Sequence, residues 1–283
     1  MKINSISIVP QDVGCNYKCK YCIAHMTKNI RDTVRKPGIS LPKLERCLKY
    51  SKDLGAGTAI VTSSGEPLLG SWTNIENILW LTKKYFGQID FHTNASLILE
   101  EPEFGRNFSQ MIAPYITNMT ITVADYNGDR NKNLVGQHIE YKKLFNLLNN
   151  LGIVIRLSCV VCIDGISSYD KMIEYLNIYK EIGVSQVVFR ELWIPINCDP
   201  IVSEWCTNNY IPQIEINKWL KRLNEENGCK SLSFWGDQPY DYNGIGVATS
   251  TCTKNNNSES IKSVVYRPDN NLYPDWDSKV KIM

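Results

Sequence analysis

The sequence predicts an α/β fold: a partial (β/α)6 barrel of parallel strands with a C-terminal capping extension. Three observations predict it. Apolar runs rich in Val and Ile alternate with stretches of helical spacing from residue 3 to residue 192. Runs such as Ile153-Val154-Ile155 and Val187-Val188-Phe189 lack polar alternation, as strands covered by helices on both faces do. The length of 283 residues suits one barrel with a tail, since barrels of this kind take roughly 250 residues.

Ile3, Ile6 and Ile8 mark the first strand, which stops near Pro10 and Gly14. Helical spacing follows from Leu41 to Leu54, with Ser40 as N-cap and Pro42 in the first turn. Thr58 to Thr62 is the second strand and Asn74 to Phe86 its helix; Ile89 to Thr93 and Glu103 to Ile112 make the third unit. Ile116 to Val123 with Ile139 to Leu151, and Ile153 to Ile163 with Tyr169 to Ile182, continue the alternation, and Gln186 to Leu192 is the sixth strand. Right-handed crossovers curl such strands into an open TIM-like barrel whose chemistry gathers at the C-terminal strand ends. Residues 1–192 therefore read as the barrel and 193–283 as a cap within the same globule. After Trp193 the rhythm breaks at Pro195 and Pro200, and a helical stretch runs from Ile214 to Asn224. Gly244, Gly246 and Thr249-Ser250-Thr251 read as a loop, and Val264-Val265-Tyr266 with Leu272-Tyr273 as a closing hairpin. The cap's aromatic density, including Trp205, Trp219, Phe234 and Trp235, suits a lid over the barrel.

Apolar residues make up 43% and charged residues 21%, the balance of a chain that buries a sizeable core. The 31 basic residues nearly cancel the 29 acidic ones, so no field points to nucleic acid or a membrane surface. No apolar stretch approaches a membrane span, and Met1 to Ser5 lead straight into a strand without a signal core. With 10 cysteines and no export signal, a cytoplasmic, reducing setting is expected.

Cys15, Cys19 and Cys22 place three thiolates in one short loop after the first strand, close enough to wrap three corners of a cubane iron–sulfur cluster. The fourth iron would stay open to an outside ligand. The same residues with His25 also fit a Cys3His zinc site, the mark of a non-catalytic interaction protein. The second strand ends in Ser63-Ser64-Gly65-Glu66-Pro67, at the same end of the barrel.

Together these segments resemble the radical S-adenosylmethionine (SAM) superfamily, with its Cys-x3-Cys-x2-Cys loop, aromatic residue before the last cysteine (here Tyr21) and Gly-Gly-Glu-Pro segment. Ser64 replaces the first glycine. Thr93-Asn94 resembles the family's Thr-Asn-Gly, with Ala95 in place of glycine, and Thr120 to Asp125 its fourth-strand Ser-x-Asp pattern. The resemblance spans roughly residues 3 to 192. It implies a 4Fe-4S cluster on Cys15, Cys19 and Cys22, and SAM held by Tyr21, Ser64, Gly65, Glu66, Pro67, Thr93, Asn94, Thr122 and Arg130. It also implies reductive SAM cleavage to a 5′-deoxyadenosyl radical, supplied by an external electron donor such as flavodoxin or ferredoxin. Two substrate classes stay open: a peptide, epimerised or cross-linked, and a small metabolite or nucleotide.

Arg156 and Arg190 interrupt apolar strands, and a buried guanidinium needs an anionic or polar partner. Arg190, at a strand end, is the candidate for contact with substrate. Among the cap cysteines Cys198, Cys206, Cys229 and Cys252, the last is the candidate catalytic thiol, although the four are also candidates for an auxiliary cluster. Cys47, Cys159 and Cys162 read as core residues.

Overall fold

The six strand-forming runs pair side by side in the computed structural model, which describes residues 2–11, 14–23, 38–194, 200–231, 239–250, 260–276 and 278–283. They are β1 Lys2–Ile8, β2 Thr58–Val61, β3 Gln88–Thr93, β4 Asn118–Thr122, β5 Val154–Val161 and β6 Gln186–Glu191. Each pairs in parallel with the next. The connecting helices are α1 Leu41–Asp53, α2 Trp72–Lys83, α3 Ser96–Glu100, α4 Pro102–Asn107, α5 Gly128–Val135, α6 Tyr141–Asn150 and α7 Tyr169–Glu181. Among the described residues no helix is long and apolar enough to cross a membrane.

The C-terminal third adds α8 Pro200–Asn209, α9 Gln213–Asn227 and β7 Lys230–Ser231, then β8 Tyr240–Tyr242, β9 Ile245–Ser250, β10 Ser260–Tyr266 and β11 Leu272–Tyr273. The described strands form one sheet in the order β11-β10-β1-β2-β3-β4-β5-β6-β9-β8-β7. β9 pairs in parallel with β6 and β10 in parallel with β1, so the parallel run is lengthened at both edges. Lys262 of β10 reaches the hydroxyl of Ser250 in β9 at 3.4 Å, which brings the two edges of the curved sheet within one side chain of each other.

Three local readings differ from expectation. The stretch taken as a loop at Gly244 and Gly246 is strand β9: Asn243 and Gly244 have φ of 51° and 89°, and such a pair turns β8 back into a paired strand. The helix expected from Glu103 to Ile112 is α4, started by Pro102 and ending at Asn107, followed by a π turn at Phe108–Ile112 and, at Pro114, a 3₁₀ turn at Ala113–Tyr115, with the short α3 before it. α5 escapes a periodicity reading because its short polar sequence buries only Asn131, Leu134 and Val135.

Strand alternation divides the sheet into two faces. Ile6, Ala59, Phe91, Ile121, Leu157 and Phe189 are fully buried under the helices, against residues such as Leu44 of α1 and Ile78 of α2. Each such large side chain contributes roughly 1.5–3 kcal/mol, so this outer layer holds the fold. The inner face is polar. Asp90 and His92 of β3 stand in register with Asn118 and Thr120 of β4, and Thr120 with Arg156 of β5. Arg156 pairs with Asp90 and donates from Nε to Gln186 at 2.7 Å, while Thr120 donates to Asp90 at 2.8 Å. His92 lies 3.4 Å from Asp90. Burial alone would raise the Asp90 carboxyl, but His92, Arg156 and Thr120 outweigh it and hold it at about 2.

Candidate cluster and cofactor site

The first strand ends below a loop that carries Cys15, Cys19 and Cys22, each half-buried and unbridged. Aromatic packing fixes this loop from within: Tyr17 and Tyr21 are buried in the core. Cys22 N donates to Cys19 O at 3.1 Å, closing the last turn. From outside, Asn16 Nδ2 donates to Ser96 at 2.8 Å, and Asn94 Nδ2 donates to Asn16 at 2.8 Å and approaches Cys15 Sγ at 3.7 Å. Burial pushes the Cys19 thiol well up, and the nearby Cys22 and Cys15 push the same way. Burial likewise raises Cys15, with Glu66 and Cys22 adding to it.

The segment after β2 locks onto this loop. Glu66 N donates to Gly14 O at 2.8 Å. A Cβ built on Gly65 would lie 1.8 Å from that same oxygen, so only glycine lets the two backbones meet. Glu66 itself is 1% exposed. It accepts from Leu68 N at 3.0 Å, Thr93 Oγ1 at 2.6 Å and Asn94 N at 2.7 Å. Burial pushes its carboxyl up to about 7 against these three donors. One carboxylate thus ties the ends of β2 and β3 together, with Pro67 buried beside it and Ser64 half-buried before it. Ala95, in place of the glycine of the resembling segment, takes φ 61°, the left-handed region in which glycine is easiest.

The other expected residues divide by location. Thr122 is half-buried on the inner face in register with Ser158, whose hydroxyl accepts from Arg190 Nε at 2.8 Å. Arg130 is held by Asp125 through two bonds of 2.9 Å, clasping the first turn of α5 to the end of β4. Cys206 is buried in α8, and the Cys229 thiol faces Leu223 O at 3.6 Å. His25, Cys198 and Cys252 lie outside the described residues. The sequence reading missed Asp90 and His92; polar residues at alternate positions of the otherwise apolar run Ile89 to Phe91 were the signal for an inner-face pair. It also missed the contact of Gly65 with Gly14, which no local pattern announces.

Three features fit an iron–sulfur cluster here. Burial, and then the neighbouring Cys22 and Cys15, raise the Cys19 thiol, a penalty on its thiolate that bound cations relieve. The buried hydroxyls of Tyr17 and Tyr21 have no hydrogen-bond partner among the described residues. Each corner of a cubane takes its own thiolate, and the loop offers three separate ones.

No protein-family model matches the chain, and no curated protein matches it. Solved structures do. Streptococcus suis SuiB bound to S-adenosylmethionine superposes with a TM-score of 0.66 at 14% identity, covering 96% of this chain and 60% of SuiB. Native anSMEcpe with bound AdoMet and Cp18Cys peptide gives 0.64 at 16% identity, covering 98% of this chain and 75% of that one. HydG, a maturase of the [FeFe]-hydrogenase, gives 0.56 at 11% identity, covering 79% of this chain and 49% of that one. The chain thus spans about three fifths of the length of SuiB. It has the partial-barrel α/β fold of these structures, two of them carrying S-adenosylmethionine.

Proposed function

We propose that the chain is a radical SAM enzyme that modifies a peptide by epimerisation or cross-linking. The observation that carries this reading is the interlock of Gly14 with Gly65 and Glu66, which joins the three-thiol loop to the segment resembling a SAM site. Cys15, Cys19 and Cys22 would hold a 4Fe-4S cluster; Tyr21, Ser64, Gly65, Glu66, Pro67, Thr93, Asn94 and Thr122 would line the SAM site. When bound, cluster and SAM supply an electron and a 5′-deoxyadenosyl radical that takes hydrogen from substrate. The chain's own part is positioning. Glu66 fixes the β2 and β3 ends against each other, and the inner face offers polar groups from Thr122 to Arg190 to a substrate entering the barrel mouth. Arg130, held by Asp125, supports the mouth through α5. Cys252 stays the candidate catalytic thiol, and the cap is assigned to excluding water.

A peptide substrate is favoured by the similarity to anSMEcpe, whose structure carries a peptide. An external flavodoxin or ferredoxin would deliver the electron, and the cytoplasm is the setting we assign. The test is anaerobic reconstitution with iron and sulfide, followed by dithionite and SAM. The reading predicts a brown protein that releases 5′-deoxyadenosine, and a folded Cys19→Ala variant that does not. A colourless protein that retains zinc and leaves SAM intact would replace this reading with the Cys3His interaction module.

A further inference from the structure

Cys19 is flanked by two backbone amides, and both are committed to carbonyls of α5. Lys18 N donates to Val135 O at 3.1 Å and Lys20 N to Leu134 O at 3.0 Å, so the loop caps the carbonyl end of α5. The Val135 oxygen also lies 4.0 Å from Cys19 Sγ. Gly136 ends the helix at φ 84°, and a Cβ there would sit 3.2 Å from both Cβ and N of Lys18. α5 is a firm support. Arg130 grips Asp125, and Asn131 accepts from Ala124 N at 2.8 Å and Asp125 N at 3.2 Å.

The contacts from α5 act in one electrical direction, opposite to the donors Tyr17 N and Asn94 Nδ2 that lie 3.4 and 3.7 Å from Cys15 Sγ. Hydrogen bonds to cluster sulfurs ease the addition of an electron, and here two amides beside Cys19 are committed elsewhere. A carbonyl oxygen near the sulfur, and the negative end of a helix dipole behind it, both disfavour added negative charge. We propose that the C-terminus of α5, through Leu134, Val135 and Gly136, positions the loop around Cys19 and makes the bound cluster a stronger one-electron reductant. These are positioning residues. The inference rests on the reading of Cys15, Cys19 and Cys22 as cluster ligands.

The test uses the full chain reconstituted anaerobically with ferrous iron and sulfide. Gly136→Ala places a methyl against Lys18; Gly136→Asn adds the same Cβ with a side chain that tolerates the left-handed region, which protects the test against misfolding. Three quantities are measured: the midpoint potential by EPR-monitored titration, iron loss to a chelator, and the melting temperature of the metal-free protein. Both variants should shift the potential positive and lose iron roughly tenfold faster, the scale of second-shell effects on metal sites. Adding Lys18→Gly to Gly136→Ala should move both values back toward wild type. Potentials and iron-loss rates equal to wild type in the folded variants would overturn the proposal while leaving the cluster reading intact. A wild-type protein that takes up no cluster would overturn both.

Discussion

Two buried carboxylates of one barrel, Asp90 on β3 and Glu66 in the segment after β2, are treated in opposite ways. Asp90, on the inner face of β3, is paired with Arg156 and His92 and held far below its ordinary range. Glu66, at the mouth, takes hydrogen bonds only from neutral donors among the described residues, and burial pushes it up. The barrel floor balances its own charges. The mouth sets a carboxyl that has no ion pair among the described residues beside three thiols, an arrangement that suits positive charge from outside. The difference supports placing the proposed function at the mouth and stability at the floor.

The largest expected effect breaks the floor. Arg156→Met leaves Asp90 buried with His92 and Thr120 as its remaining partners, and removing one partner of a buried pair costs about 3–5 kcal/mol. Urea unfolding of the metal-free protein should show that loss, and iron uptake by the folded fraction should persist. An unchanged unfolding midpoint would mean that the floor network carries no weight.

At the mouth, Gly65→Ala should do the reverse. The added methyl meets the Gly14 carbonyl head-on, so the cysteine loop must shift while the strands and their helices stay packed. Iron retention after reconstitution should fall sharply with a modest change in unfolding, of about 1–3 kcal/mol at most, the scale of a lost buried hydrogen bond. Full iron retention would separate the two segments that the interlock joins.

Much of this architecture is legible in the sequence, and the illegible part has a common cause. The runs at Ile153 and Val187 and the spacing of Cys15, Cys19 and Cys22 are local patterns, and the strands and the loop stand where those patterns place them. Asn243-Gly244 was an available hairpin signal, hidden by the glycines around β9. By contrast, Asp90 meets Arg156 across 66 positions, and Gly65 needs to be glycine because of a backbone that arrives from Gly14. Such contacts depend on the closure of the sheet, which no window of sequence contains. Gly65 read as a SAM contact is first of all a point of backbone crossing.

A smaller effect sharpens the comparison through pH. The native Glu66 carboxyl sits at about 7 against an ordinary 4.5, so the folded state holds a proton that the unfolded chain has released. Its contribution is fully present below 4.5 and is lost as pH rises through 7. Asp90 has the opposite sign: its contribution is present above 3.8 and is lost as pH falls through about 2. Metal-free stability should therefore decline across the upper window in wild type and decline less in Glu66→Gln. Identical pH profiles would remove Glu66 as the source.

The most direct test of a mouth built for positive charge is the affinity of the reconstituted protein for SAM on either side of the Glu66 carboxyl value of about 7. Equilibrium binding should tighten from pH about 6 to about 8 in wild type, as the buried Glu66 ionises and adds negative charge next to the segment that would hold SAM, and should stay flat in Glu66→Gln. S-adenosylhomocysteine, which lacks the sulfonium charge, should show a weaker dependence. Wild-type affinity for SAM that does not change across that window, or that changes equally in Glu66→Gln, would contradict the account.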